Sequence, residues 1–153
     1  MSSFSVKIQI NAKPDDVWKA LSDIGNIYVW NPGVKNSHLT SDVTEGIGTA
    51  RYCDLGSSNY LDESVVKWES NRALTMRVTG TNLPFKSIDI RFTLREEKGG
   101  TEVEVSPVYE LKFGVIGKAL DALYVKKSYE KGMKNLLLGL KNHVEGIEVN
   151  GIP

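Results

Sequence analysis

The chain has 153 residues, 41% of them hydrophobic and 25% charged, a composition that suits one ordinary globular domain with a real core and leaves little room for a second. Nineteen basic residues balance nineteen acidic ones, so bulk charge gives no long-range attraction to nucleic acid or to an anionic membrane. The single cysteine, Cys53, excludes an internal disulfide, and His38 and His143 are too far apart for zinc-type spacing, so no metal or other cofactor is expected.

The opening "MSSFSVKIQI" has no basic region followed by an apolar block, and no stretch is long enough to span a bilayer. A cytoplasmic protein without stable membrane insertion is the expectation. Within this segment Phe4, Val6, Ile8 and Ile10 alternate with polar residues, the period of a half-buried strand. In "NAKPDDVWKALSD", Pro14 suits a first helical turn and Asp15 and Asp16 suit the positive end of the helix dipole, predicting a short helix through Leu21 with Trp18 in the core. "GNIYVWNPGV" predicts a second short helical turn before Trp30, broken at Pro32 and Gly33.

From residue 35 to 110 only strands are predicted, with turns at "TEGIG" (44–48), "GSSN" (56–59), "ESNR" (69–72), "GTNLPFK" (80–86) and "EKGG" (97–100). Leu74, Met76 and Val78 alternate with polar residues, as do Ile88, Ile90, Phe92 and Leu94, and then Val103, Val105, Pro107 and Tyr109. This is an antiparallel meander with one covered face. A turn centred near Ser57 sets Arg51 opposite Glu63, on the face that carries Cys53, Leu55, Leu61 and Val65. A buried pair of this kind either orients a polar substituent, supplies an acid or base through Glu63, or only fixes strand register. The opposite parity, with Tyr52, Asp54, Tyr60 and Trp68 inward, stays open because a bulge switches faces within a strand. Cys53 reads as a small buried apolar group, since no histidine is placed beside it.

Residues 118–144 contain no proline and read as one helix. Stepping about 100° per residue from Met133 collects Ala119, Ala122, Lys126, Tyr129, Leu136, Leu137, Leu140 and Val144 on one face. The leucines fill one end. The alanines leave room at the other, with Lys126 and Tyr129 as polar handles, so the N-terminal half of the helix reads as a pocket wall, and Ala122→Trp is expected to fill that pocket. The alternative is a helix bent near Gly132 that turns Leu120, Leu123 and Tyr124 inward and Lys126 outward.

One long helix facing a one-sided meander defines an α+β architecture: a curved sheet of about seven strands wrapped around the C-terminal helix, after two short helices. Its concave face is wider than the helix, so a cavity is expected. Its expected lining is Arg51, Cys53, Glu63, Val65, Met76, Ile90, Phe92 and Tyr109 from the strands, and Ala119, Ala122, Leu123, Lys126, Tyr129 and Met133 from the helix. Trp30, Leu83 and Phe85 are expected at the rim, with Trp30 alternatively plugging the end of the sheet.

The order of "KPDDVWKALSDIGNIYVWNPGV", "GIGTARYCDL", "LDESVVKWESNRAL", "GGTEVEVSPVYEL" and a long amphipathic helix resembles the START/Bet v 1-like helix-grip superfamily, in its polyketide cyclase/dehydrase-like branch. The resemblance implies a hydrophobic small molecule held between sheet and helix, with arginine and glutamate positions like Arg51 and Glu63 pointing into the cavity. Three activities remain open. The first, favoured here, is carriage or sensing of a lipophilic ligand. The second is cyclisation or dehydration of such a ligand, with Arg51, Glu63, Tyr109 and Lys126 as acid–base candidates. The third is a co-chaperone-like interaction surface, against which the lack of an evident exposed apolar stripe argues. A monomer or weak homodimer is expected.

Overall fold

A two-serine turn and the bulge beside it decide the register on which the site depends. In the "GSSN" turn both Ser57 and Ser58 adopt left-handed φ, 54° and 66°, the geometry of a tight two-residue hairpin turn whose twist matches that of its strands. The turn joins β4 (Ala50–Gly56) to β5 (Asn59–Glu69) and pairs Gly56 with Asn59; a bulge between Asp54 and Gly56 then shifts the register by one residue, so that Cys53 pairs with Leu61 and Arg51 with Glu63. The other strands are β1 (Ser2–Ser3), β2 (Val6–Ile10), β3 (Asn36–Leu39), β6 (Ala73–Thr81), β7 (Phe85–Glu97) and β8 (Gly100–Leu111). Together they form one antiparallel sheet in the order β1-β8-β7-β6-β5-β4-β3, with β2 following β1 along β8. The computed structural model describes residues 1–146. The count is eight strands instead of about seven because the first is interrupted at residues 4–5, and the architecture is the α+β helix-grip fold.

Two short helices follow the first strands: α1 (Pro14–Leu21) and a 3₁₀ helix (Ile24–Val29). Val17, Trp18 and Leu21 of α1 and Ile24 and Ile27 of the 3₁₀ helix are buried with Val103, Val105 and Leu94 of the sheet. The face question in β5 has a composite answer. Glu63 and Val65 point inward with Arg51 and Cys53, and a bulge between Val65 and Lys67 then turns Trp68 toward the core, edge-on to Trp18 at 5.2 Å.

The C-terminal segment is not one continuous α-helix. It comprises α2 (Gly114–Leu120), a π-helical turn (Asp121–Val125) and α3 (Lys126–Val144). The π turn closes i→i+5 bonds and takes in more residues per turn than an α-helix, so positions before it are rotated relative to an α-helical projection from Met133. The inward face therefore runs Gly117, Asp121, Val125, Tyr129 and Met133, and the projected Ala119 and Ala122 are exposed; Lys126, the first residue of α3, is exposed as well.

Leu136, Leu137 and Leu140 of α3 close one end of the sheet, each contributing about 1.5–3 kcal/mol on full burial. Here the helix approaches the 30–32 segment so closely that a Cβ at Gly139 would collide with the Trp30 carbonyl oxygen and Pro32 Cδ. At Gly132, two turns earlier on the same helix, a Cβ meets nothing. The two glycines therefore predict opposite results in thermal melts. Gly139→Ala lowers stability by about 1–3 kcal/mol through overpacking. Gly132→Ala raises it by about 0.4–1 kcal/mol because it removes unfolded-state entropy at a compatible helical position. Equal shifts at the two positions would show that the 30–32 segment does not seat on α3.

Candidate functional site

Between the end closed by the leucines and the open end of the sheet lies a cavity of about 650 Å³. The strands contribute Leu55, Leu61, Phe85, Ile88, Ile90, Phe92 and Leu111, the β6–β7 connection Leu83 and Pro84, and the helix Tyr124, Val125, Ser128, Tyr129, Gly132, Met133 and Leu136. Ile27, Asn31, Gly33 and Val34 complete one wall. The space exists because the helix offers small groups opposite the middle of the sheet: Gly132 has no side chain and Ser128 a short one.

In this apolar lining one polar cluster stands out. Arg51 and Glu63 are 4% and 3% exposed, and Arg51 Nε donates to Glu63 Oε1 at 2.9 Å. Arg51 Nη1 donates to the Ile24 carbonyl at 3.1 Å, tying the pair to the 3₁₀ helix, and Cys53 Sγ lies 3.6 Å from the same Oε1. Glu63 Oε2 and Arg51 Nη2 have no hydrogen-bond partner among the described residues, and neither is sealed within the protein. The cavity thus contains one free acceptor and one free donor on a charge-compensated pair. Burial, reinforced by the Glu63 charge, pushes the Cys53 thiol up to about 12, so it is a neutral S–H donor at neutral pH and not a nucleophilic thiolate.

Tyr129 stands on the helix side of the cavity, in a cluster with Phe4, Phe85 and Tyr109 at ring-centroid separations of 5.2, 5.9 and 5.2 Å. Burial first, then the Glu63 charge and Tyr109, holds its phenol well above the usual tyrosine range. Its hydroxyl is therefore a donor without being an acid at neutral pH. Tyr109 is fully buried behind it and donates to Asp121 Oδ1 at 2.5 Å, while Ser2 Oγ donates to Asp121 Oδ2 at 2.6 Å. Burial and the Asp121 hydrogen bond raise the Tyr109 phenol too. Asp121 opens the π turn, so the change in helical winding coincides with a buried carboxylate bound to the paired strands β1 and β8.

Of the candidate residues, the fold brings Arg51, Cys53, Glu63, Leu83, Phe85, Ile90, Phe92, Tyr129 and Met133 to the cavity wall. Val65 and Met76 are buried in the core beyond it, and Tyr109 reaches it only through Tyr129 and Phe85. Trp30 is buried against α3 and plugs the end of the sheet instead of rimming the entrance. Ala119, Ala122, Leu123 and Lys126 are corrections: all four are exposed, Ala119, Ala122 and Leu123 because they precede or lie within the π turn that rotates them outward, and Lys126 because it starts α3 beside the inward line of Val125 and Tyr129 with its charged side chain in water. Ala122→Trp therefore does not fill the cavity. The alternative of a helix turned near Gly132 is right in placing Lys126 outside and Tyr124 at the cavity, but the change lies at 121–125, and Leu120 and Leu123 remain outside. Sequence reasoning misses Ser128, Val125 and the wall from Ile27 to Val34; "SYEKG" (128–132), with its small residues one turn apart, holds the only available signal.

A curved antiparallel sheet closed by a long helix over an apolar cavity defines a helix-grip fold. Residues 1–145 match the family described as "Polyketide cyclase / dehydrase and lipid transport", and the chain belongs to that family. The fold is similar to that of TTHA0849 from Thermus thermophilus, at 20% identity over 95% of this chain and 98% of the other, with a TM-score of 0.79. It is also similar to a START superfamily protein from Mycobacterium smegmatis (18% identity, 95% and 99% covered, TM-score 0.78). Major latex-like protein 151 from Panax ginseng is a third (15% identity, 93% and 96% covered, TM-score 0.74). No curated protein matches the sequence.

Proposed function

We propose that this protein binds a hydrophobic small molecule bearing one neutral polar group, for carriage or sensing. The observation that carries the reading is the Arg51–Glu63 pair set into the wall of an apolar cavity of about 650 Å³. The apolar wall provides affinity for a lipid-, polyketide- or isoprenoid-like body. The pair selects the polar end. Because the guanidinium is already compensated by Glu63, a ligand carboxylate gains little net attraction, whereas a hydroxyl can donate to Glu63 Oε2, and a hydroxyl or carbonyl can accept from Arg51 Nη2, without adding buried charge. Membership of a family described by both cyclases and lipid transport is consistent with this ligand class. The test is native mass spectrometry of the purified protein with identification of any co-purified species. A neutral lipophilic molecule of defined mass is expected; ligands that are uniformly carboxylic acids would overturn the assignment of the polar end.

The open Glu63 Oε2 also favours a second reading, in which the carboxylate exchanges a proton with the ligand during dehydration or cyclisation. Glu63→Gln separates the two. It keeps an acceptor oxygen toward Arg51 and removes the ionisable group. Carriage predicts a modest loss of affinity, about 0.5–1.5 kcal/mol for one altered hydrogen bond, in titrations of the co-purified ligand. Proton transfer predicts conversion by the native protein that falls at least about a hundredfold in the variant while binding is retained.

A further inference from the structure

We infer that the outer face of α2 and the π turn docks on an anionic lipid bilayer surface. Thirteen large hydrophobic residues are exposed among the described residues, and six of them lie within twelve consecutive positions: Phe113, Val115, Ile116, Leu120, Leu123 and Tyr124. All of these except Leu120 are more than 60% exposed, and Ile116, Leu120 and Leu123 recur at the spacing of one helical stripe. This contradicts the expectation that no exposed apolar stripe exists. An α-helical projection from Met133 hides it by placing Ala119 and Ala122 inward, whereas the π turn puts them outside.

Charge identifies the partner. Residues 112–129 carry exposed Lys112, Lys118, Lys126 and Lys127, and the one carboxylate in that stretch, Asp121, is drawn inward by the Ser2 and Tyr109 hydroxyls. Within residues 112–129 the exposed charges are therefore all cationic, in a chain whose total charge is zero, and the next carboxylate, Glu130, is half-buried one turn beyond Lys126. Bulk charge balance hides this local asymmetry. Apolar side chains flanked by lysines match a headgroup layer of anionic lipid over acyl chains, in which the segment lies in the interface without spanning it. A protein partner would need paired acidic and apolar groups on one surface, which nothing here favours over lipid. Docking stands on the surface alone. Its use for loading the cavity rests on the proposed function, and Tyr124, at once on the cavity wall and 67% exposed, is where the two meet.

The test is co-sedimentation of the full chain with phosphatidylcholine vesicles and with phosphatidylcholine–phosphatidylserine vesicles mixed about three to one. Binding to the anionic vesicles is expected to be at least about tenfold tighter and to weaken as salt is raised. The Lys126→Glu/Lys127→Glu variant should lose about tenfold or more of that binding, and Ile116→Ser/Leu123→Ser most of it, both with unchanged thermal melts because these side chains are all exposed. Gly132→Trp, which obstructs the cavity from the other side of the wall, should bind vesicles as the native chain does; vesicle binding therefore fails or survives independently of ligand binding. No partition to anionic vesicles, equal partition to both vesicle types, or loss of the apolar face into a concentration-dependent dimer would each overturn the proposal.

Discussion

In the Gly132→Trp variant, ligand uptake is lost and the fold survives. Gly132 lies on the cavity wall with nothing within 4 Å of the position a Cβ would take, so the first atoms of a new side chain enter open space. The indole then occupies volume the ligand needs between α3 and the sheet, and removing glycine from the middle of a helix offsets part of any steric cost. Uptake is read as the mass shift of co-purified ligand in native mass spectrometry and as enhancement of anilinonaphthalene sulfonate fluorescence. Both should fall at least about tenfold, while Gly132→Ala retains them. A tryptophan variant that binds as well as the native chain would move the ligand out of this cavity. One that unfolds would mean that the wall is packed shut at this position.

Arg51→Met has the largest expected effect on stability. It leaves the Glu63 carboxylate 3% exposed with only the Cys53 thiol beside it, and removes the tie to the Ile24 carbonyl. Breaking one side of a buried pair costs about 3–5 kcal/mol, and for a chain of this length each kcal/mol moves the melting temperature by roughly 2–4 °C. A fall of roughly 6–20 °C is therefore expected. The double variant Arg51→Met/Glu63→Leu should recover most of it, since two well-packed apolar groups replace an ion pair at little net cost. The double variant should also lose preference for ligands with a hydroxyl or carbonyl. If the single variant costs less than about 1 kcal/mol, water reaches the pair as it does an exposed salt bridge, and the cavity end is wetter than proposed.

Arg51 and Glu63 also illustrate the difference between what is legible in the chain and what is not. Counting outward from a turn centred near Ser57 matches them, although the two-residue turn taken alone would set Arg51 opposite Ser64; a bulge between Asp54 and Gly56 shifts the register by one residue and brings Arg51 opposite Glu63. Ile90 and Phe92 follow from period-two alternation in the same way. Gly132 reads only as a bend point, because a glycine within a helix does not reveal whether it faces a neighbour or a void: Gly139, on the same helix, is pressed against the Trp30 carbonyl.

The amino-acid order alone is enough for the helix-grip class, the strand faces, the two short helices and the central ion pair, since each rests on contacts along one strand, one turn or one hairpin. The inward face of the helix before Lys126 is not contained in any local pattern. It depends on Asp121 meeting Ser2, 119 residues away in the chain, and Tyr109 on β8, at a turn wound more loosely than an α-helix. That single long-range anchorage decides which side chains wall the cavity and which are left on the surface, because a change of winding at one turn rotates every residue before it.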